Sequence, residues 1–422
     1  MKFALASYGT RGDVEPCLAV GLELLRRGHD VRIAVPPDLV GFAESIGLAV
    51  VAYGPDARLW QDVHRETLTQ MRRKPWQVRN MRRLWREDWQ LFAQSWRETS
   101  TILTSLADGA DLLLTGVIGE QAAANVAEYH GIPFATLHTY PMRANGQLVP
   151  FVPAALARSA VTATEWPNRF LTKKLEDTQR REMGLPKAKG LPSTRIAKRA
   201  ALEIQGYDEM CFPGLAAEWV RWKDQRPFVG ALTLELATED DDDVASWIAA
   251  GAPPILFGFG SMPVESAGDT LAMISGACAQ LAERALVISG GSDFGGIPQS
   301  DHVKVVGTLN LAAAFPACRA VVHHGGSGTT AASLRAGVPT LILSSWPDQT
   351  LWGWVIDRLK VGHTRRFSAT TRETLIADLR TILAPPYAAR AREVASQMTK
   401  PADSAATVAD LLEKSARLRR VV

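Results

Sequence analysis

The chain has 422 residues, more than one hydrophobic core usually spans, and this length predicts two domains of roughly 200 residues each. A hydrophobic fraction of 46% and a charged fraction of 22% are typical of globular proteins and exclude a disordered or fibrous chain. The formal net charge of +3 is too small for the strongly basic face that nucleic-acid binding requires, so we expect no nucleic-acid partner.

The amino terminus reads MKFALASYGTRGDVEP, and its apolar run is too short for a secretory signal peptide. We interpret this run as a first β-strand. No apolar stretch approaches the length of about 18 residues that a membrane-spanning helix requires. We therefore expect a cytoplasmic protein whose association with a membrane, if any, is peripheral.

Short runs rich in valine, isoleucine and leucine alternate with amphipathic segments of helix length, a pattern that predicts parallel sheets covered by helices. The pattern occurs twice, so the predicted fold class is α/β with two Rossmann-like parallel-sheet domains that face a cleft. The predicted strands are KFALASY, DVRIAV, LAVVAY, DLLLT and PFATLH in the first half and PILFGFGS, ALVISGG, VKVVG, RAVVHH and PTLILSS in the second.

Proline and glycine residues interrupt this pattern between about Cys211 and Leu234, as is typical of a connection between domains. We predict an amino-terminal domain at 1–220 and a carboxyl-terminal domain at 221–390. The remaining residues, 391–422, are predicted to form carboxyl-terminal helices that pack back on the amino-terminal domain.

The first predicted strand leads into GTRGDVEP, a glycine turn followed by the start of a helix. In this loop Asp13 is a candidate general base for an acceptor hydroxyl, and Thr10 and Arg11 are candidates for contact with donor phosphates. An aspartate in this position is equally natural as a helix-capping residue. Both interpretations of Asp13 stay open at this stage.

Residues 58–100 form a basic and aromatic stretch that includes RRKPWQVRNMRRLWRE. Trp85, Trp89, Phe92 and Trp96 are candidates for the wall of a pocket that binds a hydrophobic acceptor. The arginines are candidates for contact with anionic lipid headgroups. A helix that packs its tryptophans into the core and leaves its arginines in water explains the same pattern.

A second glycine turn, FGFGSM, follows the first strand of the second half, at the carboxyl edge where parallel sheets bind ligands. Ser261 in this turn is a candidate for contact with a phosphate oxygen. Glycines at a strand end are also common for purely structural reasons, so this motif alone is a weak signal.

The stretch RAVVHHGGSGTT is the strongest chemical signal, because a predicted buried strand leads through a glycine-rich turn into a predicted helix. A helix amino terminus offers unpaired N–H groups and the positive end of a dipole, and glycines let a phosphate approach them. No Walker lysine follows, and the GxGxxG pattern is absent. The candidate diphosphate ligands are His323, Gly325, Ser327, Gly328 and Thr329, with Thr330 as a further hydroxyl donor.

The strand PTLILSS is followed by Trp346, Pro347, Asp348 and Gln349. A carboxylate accepts hydroxyl protons and an amide both donates and accepts, so Asp348 and Gln349 are candidates for binding sugar hydroxyls. A helix cap at Asp348 is the structural alternative.

The four cysteines, Cys17, Cys211, Cys278 and Cys318, are widely separated and show no CxxC spacing. This pattern predicts buried free thiols rather than a zinc or redox site.

Taken together, these motifs resemble the inverting, GT-B fold glycosyltransferases of family 1, especially the bacterial glycopeptide, sterol and macrolide glycosyltransferases. The resemblance covers nearly the whole chain, with SYGTRGDVEPCLAVGLELLRRGHDV, FGFGSM and VVHHGGSGTTAASLRAGVPTLILSSWPDQ as its landmarks. The carboxyl-terminal sequence, LKVGHTRRFSATTRETLIADLRTILAP, resembles that of mycobacterial glycosyltransferases that add rhamnose or other 6-deoxyhexoses to glycopeptidolipids.

The resemblance implies a hexosyltransferase that needs no metal and no cofactor, with a nucleotide diphosphate sugar as co-substrate. It implies that Asp13 is the base, that Ser261 and the turn at His323 hold the diphosphate, and that Asp348 and Gln349 contact the sugar. The donor would be TDP- or UDP-linked, and the acceptor a hydroxyl of a glycopeptidolipid or another hydrophobic natural product. The resemblance also implies that the domain at 1–220 binds the acceptor and that the domain at 221–390 binds the nucleotide sugar. The first loop lacks the histidine base of plant members, and residues 306–313 lack the tryptophan that plant members place on the nucleobase, which leaves the donor nucleotide open.

Two alternatives share the fold: a nucleotide-sugar isomerase and a noncatalytic nucleotide-sugar-binding homologue. An isomerase would not need the large region between residues 53 and 109 that we assign to the acceptor. A noncatalytic homologue is expected to lose Asp13 or the glycine-rich turn, and this sequence keeps both.

Overall fold

The computed structural model describes residues 1–57, 78–148, 152–260, 266–290 and 302–419. It contains two six-stranded sheets whose strand pairs are all parallel, which confirms the predicted fold class. The first compact unit comprises Met1–Gly206, Pro213–Leu232 and Ala402–Val422, and the second comprises Tyr207–Phe212 and Thr233–Pro401.

The first sheet has the strand order β3-β2-β1-β4-β5-β6. Its strands are β1 Lys2–Ala6, β2 Asp30–Val35, β3 Val50–Ala52, β4 Leu112–Gly116, β5 Phe134–His138 and β6 Leu202–Gln205. The helices of this part of the chain are α1 Arg11–Arg26, α2 Val40–Ser45, α3 Val78–Leu106, α4 Glu120–His130, α5 Ala154–Glu182, α6 Pro192–Lys198 and α7 Leu215–Glu218.

The second sheet has the order β12-β11-β10-β7-β8-β9. Its strands are β7 Ile255–Gly258, β8 Ala285–Ile288, β9 Val303–Val306, β10 Ala320–His323, β11 Thr340–Ser344 and β12 Gly362–Arg366. The helices that follow α7 are α8 Asp241–Ala249, α9 Ala267–Leu281, α10 Leu311–Ala314, α11 Ser327–Ala336, α12 Pro347–Leu359, α13 Arg372–Ile382, α14 Pro385–Ala395 and α15 Pro401–Arg419. Short 3-10 turns occur at Pro37–Leu39, Glu209–Cys211, Val220–Trp222, Phe315–Ala317 and Phe367–Ala369.

The strand order places a topological switch point in each sheet, next to β1 and β4 in the first and next to β7 and β10 in the second. At such a point the connections leave neighbouring strands in opposite directions, and the opened edge at the strand carboxyl ends is where parallel sheets bind ligands. The loop that contains Asp13 follows β1, and the loop that contains His324 follows β10. The fold therefore brings the strongest sequence motifs to the switch point of their own sheet.

The unit bounds differ from the predicted domain bounds of 1–220, 221–390 and 391–422. The first unit continues to Leu232 because the chain after β6 returns to its sheet, where the N–H of Val229 donates to the carbonyl of Gln205 at 3.0 Å. Of the carboxyl-terminal residues, only those from Ala402 onward belong to the first unit. There Arg27 of α1 donates to Asp410 of α15 at 2.6 Å.

Strands β6 and β12 were not predicted. The carboxyl-terminal residues are helical, as α14, which ends at Ala395, and α15, which begins at Pro401. Pro16 lies inside α1.

The predicted buried free thiols are confirmed, because all four cysteines are buried and unpaired. In the described part of the chain, no helix combines the length and the apolar composition that crossing a membrane requires.

Candidate functional site

Asp13 occupies the first turn of α1 and binds the residue that precedes this helix. The N–H of Thr10 donates to Oδ2 of Asp13 at 2.8 Å, and the hydroxyl of Thr10 donates to the same oxygen at 3.0 Å. Asp13 therefore does cap the helix, as the structural alternative predicted. Its side chain is half-buried. The capping bonds fix the carboxylate in one orientation, which is also what a positioned general base requires.

Gly9 makes room for this carboxylate. Its φ of +127° lies in the region that disfavours side chains, and a Cβ atom at this position would lie 2.4 Å from Oδ2 of Asp13. The hydroxyl of Ser7 stabilises the turn by donating to the carbonyl of Asp13 at 2.8 Å. The glycine in this loop thus serves the placement of Asp13.

Arg11, predicted beside the donor phosphates, has partners within its own unit. Its Nε donates to Glu15 at 2.9 Å, and its guanidinium lies 4.4 Å from the ring centroid of Phe42. The Arg11 side chain is about half exposed. Contacts of Thr10 and Arg11 with a donor stay predictions.

His323 ends β10 and is completely buried. The N–H of Gly325 donates to its Nδ1 at 3.0 Å, so a neutral ring carries its proton on Nε2. Burial, reinforced by the neighbouring His324, holds the pKa of His323 well below its usual range, so the ring is neutral at pH 7. Its Nε2 is buried and has no hydrogen-bond partner among the described residues. The ring therefore offers a fixed, unused donor.

Helix α11 begins directly after this histidine turn. Its capping residue is Gly326, which has no side chain to bind the first N–H groups of the helix. Among the described residues, a Cβ atom at Gly328 would have the methyl group of Thr233 as its one neighbour within 4 Å, at 3.7 Å. The protein itself therefore does not require a glycine at position 328, whereas close approach of a ligand to the helix end does.

The hydroxyls of this helix are not all available to a ligand. Ser327 and Thr329 are half-buried at the helix start. Thr330 is fully buried, and its hydroxyl donates to the carbonyl of Gly326 at 2.8 Å. The prediction that Thr330 serves as a hydroxyl donor to a phosphate is therefore wrong, because the helix backbone accepts its proton.

The ring of His324 packs against two glycine turns, a role that the sequence did not indicate. A Cβ atom at Gly260, after β7, would lie 2.7 Å from its ring, and one at Gly326 would lie 2.6 Å from its ring. The two glycines thus let both turns close on one imidazole. Ser261, the predicted phosphate contact of the first turn, lies outside the described residues.

Asp348 and Gln349 lie in the first turn of α12, at the carboxyl end of β11. Oε1 of Gln349 accepts the N–H groups of Ser345 and Trp346 at 2.8 and 3.0 Å, so Gln349 is the capping residue. Burial raises the pKa of the Asp348 carboxyl, while the backbone N–H groups of Asp348 and Gln349 oppose this shift. The amide oxygen of Gln349 is occupied, which leaves its NH₂ group as the part suited to a sugar oxygen.

The predicted acceptor residues lie on α3. Trp89 and Phe92 are half-buried with ring centroids 5.7 Å apart, and Phe92 lies 6.1 Å from the buried Trp96. The Nε1 donor of Trp96 is buried without a partner among the described residues. The side chain of Trp85 lies outside the described residues. The three described rings form one aromatic cluster, whose role in acceptor binding stays a prediction.

A buried charged network lies under the carboxyl ends of β5 and β6. Glu120 accepts from His138 at 3.1 Å and from Arg143 at 2.8 Å. Glu203 accepts from Arg143 and, at 2.6 Å, from Arg226. Burial raises the pKa of Glu120, but the charge of Arg143 and the hydrogen bond of His138 outweigh it and lower that pKa to about 2. The network contains two carboxylates and two guanidinium groups, and its charges balance.

No group of three or more histidine, cysteine, aspartate or glutamate side chains in the described ranges is close enough together to hold a metal ion. Metal independence stays a prediction that only activity measurements test.

Comparison with known proteins places this geometry in a family. Residues 3–146 match the glycosyltransferase family 28 N-terminal domain, and residues 270–414 match the erythromycin biosynthesis protein CIII-like C-terminal domain. An uncharacterized glycosyltransferase of Mycobacterium tuberculosis (strain ATCC 25618 / H37Rv) is 59% identical over 422 residues, which cover 100% of both chains. The chain belongs to the glycosyltransferases.

More distant relatives of this glycosyltransferase agree with the assignment. Sterol 3-beta-glucosyltransferase UGT80B1 of Arabidopsis thaliana is 26% identical over 97% of this chain and 67% of its own length. The solved structure of the kitacinnamycin glycosyltransferase has a TM-score of 0.71 at 17% identity and covers 98% of this chain and 99% of that one. The calicheamicin glycosyltransferase CalG4 has a TM-score of 0.69 at 16% identity and covers 98% of both chains. The fold is GT-B.

Proposed function

We propose that this glycosyltransferase is an inverting, metal-independent hexosyltransferase of the family 1 type. It transfers a hexose or 6-deoxyhexose from a TDP- or UDP-linked donor to a hydroxyl of a hydrophobic acceptor. The observation that carries the proposal is the turn before α11, where His323 has a buried Nε2 without a partner among the described residues, three residues before a helix cap that has no side chain. Such a turn binds and stabilises a diphosphate.

The nucleotide assignment has independent support from proteins of similar fold. Glycosyltransferase VinC, with a TM-score of 0.59, and the Streptomyces glycosyltransferase SsfS6, with a TM-score of 0.60, were solved with bound thymidine diphosphate. The spinosyn rhamnosyltransferase SpnG, with a TM-score of 0.64, supports a 6-deoxyhexose as the sugar. These likenesses favour TDP over UDP in the proposal.

In the proposed reaction Asp13 takes the proton of the acceptor hydroxyl while the hydroxyl oxygen attacks C1 of the sugar. The bond from C1 to the β-phosphate oxygen breaks in the same displacement, which inverts the anomeric centre. The electron pair of that bond leaves with the diphosphate. Nε2 of His323 and the first N–H groups of α11 stabilise the added charge, and Ser261 adds a hydroxyl donor. Asp348 and the NH₂ group of Gln349 bind sugar hydroxyls.

The proposed acceptor is a glycopeptidolipid or another lipid or natural product, held against the aromatic cluster of Trp89, Phe92 and Trp96. Trp85 is a further candidate contact by sequence alone. Arg83 and Arg86 on the same helix are exposed. Together with Arg79 and Arg82, whose side chains lie outside the described residues, they are the arginines that we expect to meet anionic headgroups. The enzyme would then work in the cytoplasm, in peripheral contact with the membrane that holds its acceptor.

The proposal is tested by incubating the full chain with TDP-rhamnose, TDP-glucose or UDP-glucose and a lipid extract, with EDTA present throughout. Release of the nucleotide diphosphate measures donor turnover, and NMR of the glycosylated product gives its anomeric configuration. We expect turnover in EDTA and a configuration opposite to that of the donor. Retained configuration would contradict inversion, activity only after magnesium is added would contradict metal independence, and interconversion of donors without acceptor would identify an isomerase.

A further inference from the structure

Helix α5 buries mainly polar side chains and exposes several large apolar ones, unlike an ordinary surface helix. Its buried residues are Ala157, Thr172, Glu176, Gln179 and Arg180, and four of these five are polar or charged. Its outer side exposes Leu156, Trp166 and Phe170, with exposed fractions of 62%, 58% and 82%. A helix that only supports a fold buries its aromatic side chains and exposes its charges. The outer side of α5 therefore requires another explanation.

Hydrogen bonds attach the inner side of α5 to neighbouring helices. Gln179 accepts from Asn125 at 2.9 Å and donates to Ser100 at 2.9 Å. Arg180 donates to Asn125 at 2.6 Å and to Glu128 at 2.7 Å. These contacts hold α5 against α3 and α4 without any contribution from its outer aromatic residues. The folded state gains little from Trp166 and Phe170.

The outer residues form one stripe along the helix. At 3.6 residues per turn, Trp166, Phe170, Lys174 and Arg181 lie within about 80° of one another around the axis, and Leu156 lies in the same sector. The residues from Leu156 to Arg181 extend over about 37 Å at a rise of 1.5 Å per residue. Its large apolar side chains, with the exposed Ser159 and Ala163 between them, lie towards the amino-terminal end of the helix. Its basic side chains lie towards the carboxyl-terminal end, where Asp177 in the same sector is paired with Lys173.

The basic half borders a surface groove. The groove is lined by Phe170, Lys173, Lys174, Asp177, Arg181 and Lys187, together with neighbouring residues. The groove lining contains four cationic side chains and one carboxylate, Asp177. This carboxylate pairs with Lys173 at 2.5 Å. An exposed phenylalanine thus lies directly beside an excess of positive charge.

We infer that the outer stripe of α5, formed by Leu156, Trp166, Phe170, Lys174 and Arg181, docks on an anionic lipid surface. Aromatic side chains favour the interfacial layer of a bilayer, and lysine and arginine bind the anionic headgroups beside it. A second copy of the chain fits less well, because the groove lining of an identical stripe offers the basic residues one carboxylate, Asp177, which is already paired with Lys173. Docking needs neither donor nor catalysis, so the inference does not rest on the proposed reaction.

The inference is tested by sedimentation of the full chain with vesicles of phosphatidylcholine alone and of phosphatidylcholine mixed with phosphatidylglycerol. We expect binding to the anionic vesicles, weakened by salt, and little binding to the neutral ones. The double variant Trp166→Ser, Phe170→Ser should bind the anionic vesicles at least tenfold more weakly. The matched control is Trp354→Ser on α12, an aromatic residue that is 48% exposed and lies outside the stripe. It should bind as the wild type does.

A second variant, Lys174→Glu with Arg181→Glu, tests the basic half and should lose the preference for anionic vesicles. Circular dichroism and the thermal unfolding temperature of each variant show that it is folded, and this readout is separate from both vesicle binding and nucleotide binding. Absence of wild-type binding to anionic vesicles would overturn the inference. So would unchanged binding by the aromatic double variant. A change of that variant from dimer to monomer, with vesicle binding intact, would assign the stripe to a second copy instead.

Discussion

The backbone N–H of Gly325 donates a 3.0 Å hydrogen bond to Nδ1 of His323. This bond decides which ring nitrogen carries the proton, and the low pKa of the buried ring keeps His323 neutral. The result is one donor, Nε2–H, at the carboxyl end of the switch-point strand β10. A neutral donor in a fixed direction suits an anionic oxygen better than a mobile charged side chain does.

The first prediction concerns His323→Ala, which removes this donor. A hydrogen bond to a charged group contributes roughly 1.5–3 kcal/mol, so the dissociation constant for TDP or UDP should rise about 10- to 150-fold. Isothermal titration calorimetry measures this change. His302→Ala is the matched control, because His302 lies in the same unit and its Nε2 contacts the Ser275 carbonyl at 3.1 Å. If wild type and His323→Ala bind the nucleotide with equal affinity, His323 has a structural role and does not bind the diphosphate.

The second prediction separates the capping role of Asp13 from its proposed role as base. In Asp13→Asn the amide oxygen can still accept the N–H of Thr10, so the cap survives while basicity is lost. We expect turnover to fall by about 10²- to 10⁴-fold with little change in donor affinity. Steady-state kinetics with TDP-sugar give both quantities. An Asn variant with wild-type turnover would show that Asp13 only caps α1.

The third prediction uses two glycines of the same loop. Gly9→Ala adds a Cβ atom 2.4 Å from Oδ2 of Asp13, on a backbone with φ of +127°, and should displace the carboxylate and reduce turnover strongly. Gly12→Ala is the control, because its added Cβ would lie 3.7 Å from the hydroxyl of Thr10, an ordinary contact. Similar turnover in both variants would argue against a fixed Asp13 carboxylate as the reacting group.

The fourth prediction distinguishes binding from folding at the glycine-rich turn. In Gly328→Ala the added Cβ atom would lie 3.7 Å from the Thr233 methyl, its one neighbour among the described residues. This variant should fold normally but bind TDP or UDP more weakly. Gly325→Ala should instead destabilise the protein, because φ is +95° and the new Cβ would lie 2.8 Å from Ile342. Thermal unfolding and calorimetry separate the two effects. A Gly328→Ala variant with unchanged affinity would show that no ligand approaches this position.

The fifth prediction concerns stability against pH. Burial lowers the pKa of His324 from its usual 6.5 to about 4. Below pH 6.5 the unfolded chain therefore binds a proton that the folded chain does not. The stabilisation is present above pH 6.5 and is lost as the pH falls towards 4, by up to about 1.4 kcal/mol per pH unit.

Urea unfolding at pH 7.5, 6.5, 5.5 and 4.5 measures this loss. In His324→Gln, which has no titrating ring, the free energy of unfolding should fall less steeply between pH 6.5 and 4.5. Parallel curves for wild type and variant would mean that His324 does not titrate differently on unfolding.

Most strands were predictable from sequence because they are buried on both faces and read as apolar runs. Strand β6, LEIQ, was missed because Glu203 looks unsuited to a core. It is fully buried only because Arg143 and Arg226, 60 and 23 residues away, bind its carboxylate. Strand β12, GHTRR, was missed for the same reason, since Arg365 pairs with Asp378 of α13 at 2.5 Å. A local pattern does not show such distant partners.

The candidate site was predictable in position but less so in contacts. Parallel strands bring their carboxyl ends to one edge, so the places of Asp13 and His323 follow from the strand pattern. The tautomer of His323 and the capping by Gln349 depend on where backbone N–H groups point, which residue types alone do not fix. The contacts of Glu120 with His138 and Arg143 join residues that are distant in sequence, and only the folded chain shows them.

The measurement that tests the central claim most directly is calorimetric titration of TDP and of UDP into the full chain in the presence of EDTA. The glycine-rich turn with its neutral His323 donor predicts that at least one of the two binds at a single site without metal. Absence of binding by both nucleotides in EDTA would contradict the diphosphate site, and with it the proposed metal-independent transfer.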